Sequence, residues 1–430
     1  MLSGLRVPRT GLCVSVFSRG QRFALAGLIG TWALSAAILL AWLWQPAHLS
    51  TVAGMLVVST LVVFDVVVLP GWFLFFVWRA RRPRPGLAVP LLRTAIIVTK
   101  APSEPWPMVR ATLNGVLAQD CPSAYDIWLA DEGPAAETKS WCAANGVKVI
   151  TRRGVRVYQR ATWPRRRRCK EGNLAFFYDC LGYLRYDVVV QLDADHVPAP
   201  SYLRHMLVPF GDPDVGYVAA PSVCDRNAAR SWAARGRLYS EAVLHGAHQA
   251  GCNDGWAPSC IGSHYAVRTA ALREIGGLGP ELAEDFSTTL LMNAGGWQGV
   301  FALDAEAHGD GPACLADCVT QELQWSRSMM SILLKYAPSH WRRLTPRARI
   351  RLGFCLLWYP LFGLQMAAAV ILPGIALVTG TPLVRVDLGG FFFHLAPVVL
   401  IMVGATMWLG NQELLRPSGA SALRWEAILL

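Results

Sequence analysis

Apolar residues fall along this chain in runs of two lengths. The long runs cover about 23–44, 52–78, 352–378 and 391–409, each long enough for the roughly 20 apolar residues that a helix needs to cross a bilayer. Gln45-Pro46-Ala47-His48 joins the first two, so they read as a helical hairpin, and the last two pair in the same way. Short strand-like runs lie between the hairpins, at 94–99, 125–130, 147–151, 187–192 and 215–220, with helix-compatible segments at 106–118 and 173–184. This alternation predicts an α/β domain around a mostly parallel sheet. Three parts follow: a hairpin and an Arg/Pro-rich linker at 1–90, a polar domain at 91–341, and an interfacial segment, second hairpin and tail at 342–430.

Composition supports a membrane protein, since 53% of the 430 residues are hydrophobic and only 16% are charged. The basic residues then orient it. Arg6, Arg9, Arg19 and Arg22 precede the first long run, and Arg79, Arg81, Arg82 and Arg84 follow the second. Arg342, Arg343, Arg347, Arg349 and Arg351 precede or open the third, Arg416 and Arg424 follow the fourth, and the hairpin loops carry only Arg385. The positive-inside rule places the polar domain and both termini in the cytoplasm of a multi-pass protein of the plasma (inner) membrane. The net charge of +11 is thereby assigned to topology and anionic lipid, not to nucleic acid. The first run is too long for a signal peptide and is followed at once by a second, so it reads as an uncleaved anchor. Arg424 to Leu430 reads as an interfacial helical segment. The eleven cysteines include no C-x-x-C pair, and Cys314 and Cys318 read as buried thiols. Asp65, inside the second run, is costly at bilayer depth and marks a helix contact or a pathway.

In open α/β sheets ligands bind beyond the carboxyl ends of the strands. Asp131-Glu132-Gly133 and Asp193-Ala194-Asp195 each end a strand-like run there. Aspartates spaced like Asp193 and Asp195 can share one Mg²⁺ or Mn²⁺ with a nucleotide diphosphate. Asp285 is a carboxylate able to take a proton from an acceptor hydroxyl.

These motifs have company. Lys170-Glu171-Gly172-Asn173-Leu174, Ala283-Glu284-Asp285 and Gln321-Glu322-Leu323-Gln324-Trp325 complete an ordered set. The set resembles the family 2 glycosyltransferases, in particular the cellulose, chitin and hyaluronan synthase branch. The resemblance implies a GT-A-like (Rossmann-like) domain inserted between transmembrane hairpins. It implies inverting transfer from a nucleotide sugar, a UDP-sugar, that elongates a β-linked polysaccharide and passes it across the chain's own helices. Donor contacts would come from Asp131, Glu132, Lys170, Asp193 and Arg327, metal ligation from Asp193 and Asp195, and general-base catalysis from Asp285. Acceptor contacts would come from Gln321, Trp325, Gly262, Ser263, His264 and Glu284. For His264 a structural, hydrogen-bonded role stands equally open. Departures from the family pattern are Gln324 in place of an arginine, with Arg327 as a compensating cation, Glu132 in place of an aspartate, and Glu171 beside the phosphates. The Arg165 to Arg168 run reads as a face toward lipid headgroups. The rival readings are a non-processive transferase to a lipid-phosphate acceptor and a non-catalytic subunit of a synthase complex. Expected partners are a nucleotide-sugar donor, a growing glycan and the bilayer, with homo-oligomers or synthase subunits left open.

Overall fold

The computed structural model describes residues 11–417 and 424–426. Arg6, Arg9 and most of the expected interfacial segment after Arg424 lie outside the described residues. Among the described residues, four helices are long and apolar enough to cross a membrane: α1 Arg19–Leu43, α2 Val52–Trp78, α8 Pro346–Thr379 and α9 Leu388–Asn411. Each opens on a side-chain cap, from Ser18, Thr51, Thr345 and Asp387 respectively, which satisfies backbone N–H groups that the first turn leaves free. Their apolar stretches are only 0% to 22% covered by the rest of the chain, a surface that water would not tolerate but lipid would. Asp65 makes a helix contact: Gln365 Nε2, on α8, donates to its Oδ2 at 2.7 Å.

Between the hairpins lies a seven-stranded sheet. Its strands in chain order are β1 Thr94–Lys100, β2 Tyr125–Asp131, β3 Lys148–Ile150, β4 Val188–Asp193, β5 Val215–Ala219, β6 His264–Arg268 and β7 Gln298–Phe301. Across the sheet the order is β7-β5-β6-β4-β1-β2-β3. All pairings are parallel except those of β6 with β4 and β5. Every residue of β1 is buried, which is why Thr-Ala-Ile-Ile-Val-Thr-Lys reads as a near-continuous apolar run. Alternate residues supply two core layers: Ile96, Val98 and Val190 on one face, and Ala95, Ile97 and Val189 on the other. Helix α3 Trp106–Leu117 lies on the first face, and α4 Lys170–Phe177 packs Leu174 and Phe177 into the second.

Two features set where chemistry can occur. Register places Lys100 beside Asp131, and Thr99 beside Asp193, at the carboxyl ends of β1, β2 and β4. Because β6 runs antiparallel, its first residue, His264, pairs with Leu192, so the loop before it falls at the same end. The strands follow the hydrophobic runs to within one or two residues. β7, whose four residues carry little pattern, was not foreseen. The expected helix 173–184 begins earlier, at Lys170, and passes into a wider turn at Tyr178–Gly182. Cys318 is buried but Cys314 is exposed, which corrects its reading as a buried thiol: it stands just before α7 Leu315–Ser331, with its Sγ 3.4 Å from Asp317 Oδ2.

The domain meets the long apolar helices through close backbone approaches. Gly251 packs against the end of α2, where an added Cβ would lie 1.9 Å from the carbonyl oxygen of Phe76. Gly251→Ala is therefore expected to lower stability by about 1–3 kcal/mol. Gly363→Ala, with no atom within 4 Å of its new methyl group, leaves it unchanged. Thermal unfolding of the two variants in detergent compares them directly, and equal midpoints would show that this seam is loose.

Candidate functional site

Lys170, the first residue of α4, ties the carboxyl end of the sheet together. Its ammonium lies 2.6 Å from Asp193 Oδ1 and donates to the carbonyl of Gly262. Burial opposes its charge, but Asp193, Glu284 and Asp285 outweigh that and raise its pKa. The loop before β6 is fixed by the N–H of Asp193, which donates to the Ser263 carbonyl at 2.8 Å. Ser263 Oγ in turn donates to Ser222 Oγ at 2.9 Å.

Glu284 and Asp285 open α6 Glu284–Ala294. A Cβ on Gly262 would lie 3.2 Å from Asp285 Oδ2, so a larger residue there would press on this carboxylate. Asp285 Oδ1 accepts from the N–H of Phe286 at 2.7 Å, and its side chain is partly exposed. Burial raises its pKa, against the N–H of Phe286 and the charge of Lys170. Glu284 is only 6% exposed, and its Oε1 is buried without a partner. Burial, opposed by Lys170 and reinforced by Asp285 and Asp193, pushes it up to about 8.

Asp195 lies across the same turn from Asp193. Its Oδ1 is 2.7 Å from His196 Nδ1, and His196 Nε2 is 3.0 Å from Ser222 Oγ. Burial works against a charged His196, yet the bond to Asp195 dominates and lifts it to about 10. A third carboxylate, Glu104, has its pKa raised by burial and then by the charges of Asp193 and Asp195. Hard oxygen donors from one turn, crowded by further negative charge, suit a divalent cation that completes its shell with phosphate and water.

The other sequence-derived residues distribute as follows. Asp131 is completely buried; it accepts from the Gly133 N–H at 2.8 Å and pairs with Lys100 at 3.4 Å. It shapes the strand end, and its Oδ2 is buried without a hydrogen-bond partner. Glu132 forms an ion pair with Arg152, a buried guanidinium that also donates to the carbonyls of Tyr158, Arg166 and Cys169 at 2.7, 2.9 and 3.0 Å. Sequence reasoning missed Arg152 because its partners are carbonyls of a distant loop. Glu171 does not face outward beside the phosphates: it accepts the N–H groups of Arg165 and Arg166 and anchors the arginine run. His264 is completely buried, 3.1 Å from the Tyr202 hydroxyl. The contact with Tyr202 is the one its structural reading asks for, while its Nε2 is buried without a hydrogen-bond partner.

Gln321, Gln324, Trp325 and Arg327 lie on α7, apart from these contacts. Arg237, on α5 Trp232–Ser240, places its guanidinium carbon 4.8 Å from the centre of the Trp325 ring. It donates to Glu241 at 3.0 Å and Glu322 at 2.7 Å, and Tyr359 of α8 donates to Glu322 at 2.9 Å. Arg327 and Gln324 are exposed, so the cation beside Trp325 is Arg237. No motif flagged it.

The family model described as Glycosyl transferase family group 2 matches residues 188–409, just over half of the chain. The chain belongs to that family. As a member of glycosyl transferase family group 2, it is 28% identical over 242 residues to the cellulose synthase catalytic subunit [UDP-forming] of Xanthomonas axonopodis pv. citri (strain 306), across 54% of this chain and 30% of that one. It is 26% identical over 340 residues to the subunit of the same name from Pseudomonas fluorescens (strain SBW25), across 73% of this chain and 42% of the relative. The chain thus spans less than half the length of either relative. Among solved structures, a mannosyltransferase from Pyrobaculum calidifontis in complex with GDP-Man and Mn²⁺ aligns at a TM-score of 0.44 and 17% identity, over 89% of this chain and 96% of that one.

Glu284 makes stability in this family member pH-dependent. The folded state holds its proton to higher pH than the unfolded chain does, so its contribution is full below the ordinary glutamate range and is lost as pH rises to about 8. Glu284→Gln is expected to flatten the decline of thermal midpoint between about pH 5 and 8. A variant curve parallel to wild type would show that Glu284 titrates normally.

Proposed function

We propose that this chain is a membrane-bound inverting glycosyltransferase that uses a nucleotide sugar, a UDP-sugar, to elongate a β-linked polysaccharide at the cytoplasmic face and hand it to its own helices. The observation that carries this reading is the placement of Lys170, which pairs with Asp193 of β4 and donates to the carbonyl of Gly262, the residue that lies against Asp285 of α6. It brings a candidate leaving-group site and a candidate base to the same end of the sheet.

Asp193 and Asp195 would hold Mg²⁺ or Mn²⁺, which when bound neutralises the leaving diphosphate. Lys170 adds a positive charge beside it. Asp285, partly exposed and aligned by the N–H of Phe286, takes the acceptor hydroxyl proton as that oxygen bonds to the anomeric carbon and the bond to the diphosphate breaks. Attack opposite the leaving group inverts the centre, so an α-linked donor gives a β-linked product. Glu284, buried and protonated at neutral pH, supports the turn. The half-exposed face of Trp325, held by Arg237, offers an apolar surface to a pyranose of the acceptor. Processive extension is the form favoured by this platform, and product length distinguishes it from single transfer to a lipid phosphate.

Asp285→Asn keeps shape but cannot take the proton, so transfer is expected to fall roughly 10²–10⁴-fold with donor binding near normal. Glu284→Gln is expected to be milder. Turnover and donor affinity on one membrane preparation decide between them, and near-normal turnover by the Asp285 variant would transfer the role to Glu284.

The cation is tested separately. Excess chelator is expected to abolish transfer and restored Mg²⁺ or Mn²⁺ to recover it, while correctly inserted Asp195→Ala stays inactive at either metal. Full activity in chelator would remove the cation from the reaction.

A further inference from the structure

The end of α2, the start of α8 and the turn 253–257 meet at one boundary of the apolar region. Arg81 Nη1 lies 2.7 Å from Asp254 Oδ2, and Arg347 Nη1 donates to the Asp254 carbonyl at 3.4 Å. Arg79 sits between two rings, its guanidinium carbon 5.4 Å from the centre of Trp256 and 5.8 Å from that of Phe75. Burial disfavours the Arg79 cation, as do the neighbouring charges of Arg347 and Arg81, and Asp254 is the carboxylate that offsets them. Two donors here, Arg79 Nε and Trp256 Nε1, are buried without an acceptor. The turn itself is strained, with Asp254, Gly255 and Ala257 at φ of 58°, 85° and 54°, a cost that tends to persist at ligand clamps.

We propose that Arg79, Arg81, Arg347 and Trp256 form a binding site for the phosphate of an anionic phospholipid headgroup. Three guanidinium groups share one carboxylate, so the cluster lacks negative charge, and its unpaired donors call for oxygen acceptors. A phosphodiester supplies both. A lipid is favoured over a free anion because the cluster borders apolar helix surface: Phe75 of α2 is 41% exposed and Ile350 of α8 is 57% exposed, so acyl chains have a surface to lie on. Trp256 and Phe75 stand where aromatic residues sit at headgroup level. The site needs α2 and α8 to cross a membrane, but not the proposed reaction.

Native mass spectrometry of the full chain in neutral detergent, with phosphatidylglycerol and phosphatidylcholine in equal amounts, tests it. Wild type is expected to retain phosphatidylglycerol preferentially. Arg79→Gln and Arg347→Gln should each weaken retention about fivefold, the equivalent of ~1 kcal/mol for one arginine at an anionic surface. Arg385→Gln, in the exposed loop of the second hairpin, leaves it unchanged. Asp254→Asn keeps a residue type that tolerates positive φ and removes the competing carboxylate, so it should tighten retention, a gain that misfolding cannot produce. Wild-type retention by both arginine variants, or no gain in Asp254→Asn, overturns the site. Inorganic phosphate displacing the lipid at about 1 mM would make it a free-anion site and overturn the lipid assignment. Resistance of the protein to alkaline carbonate extraction tests the spans independently, so failure of the spans and failure of the site are distinguishable.

Discussion

A buried ammonium facing three carboxylates from two separate elements organises the polar end of the sheet. Lys170 meets Asp193 directly and feels Glu284 and Asp285 through a short, poorly screened space. One positive charge cannot balance three negative ones, and the excess is relieved where burial is deepest, at Glu284, which keeps its proton to about pH 8. Asp285 retains solvent access and backbone donors. Two adjacent carboxyl groups on one helical turn thus acquire different protonation behaviour from differing exposure, and this asymmetry makes Asp285 the better candidate base.

A continuous polar path leaves this centre toward the membrane. From Asp195 it passes through His196 to Ser222, whose N–H donates to His245 Nδ1 at 3.3 Å. His245 Nε2 lies 3.4 Å from Glu241, which meets Arg237, and Arg237 reaches Trp325 and, through Glu322, Tyr359 of α8. Buried polar groups are costly unless partnered, so displacing one member disturbs its neighbours. The turn with Asp195 is thereby connected to the aromatic platform on α7 and to the long apolar helix α8. Glycines at the seam, Gly251 against Phe76 and Gly246 against Leu414, keep that connection close-packed.

Much of this architecture was legible in the chain. The four apolar runs are unambiguous because no water-exposed helix keeps that many uncharged residues, and Val188-Val189-Val190 can only be an interior strand. Asp193, Asp195 and Asp285 were recognisable as candidates because short motifs after strands and at helix starts carry their context with them. Arg152, Arg237 and His245 were not, because their partners are loop carbonyls or side chains outside any motif, up to 85 residues away in the case of Arg237 and Glu322. Glu171 shows the opposite error: its motif neighbours suggested phosphate, whereas its own hydrogen bonds go to loop backbone.

The sequence by itself determined the four helices long and apolar enough to cross a membrane, the α/β class and the ends of the strands where chemistry can occur, since hydrophobic period and burial are properties of short segments. Which carboxylate is exposed, which cation stands beside Trp325 and which arginines gather at Asp254 was decided only by the tertiary structure. The reversal of β6 brings Gly262 to Lys170, and the junction of α2 with α8 brings Arg79 near Arg347. Charge, burial and hydrogen bonding act between atoms a few ångströms apart, and chain spacing does not encode those distances until the sheet has closed over its core.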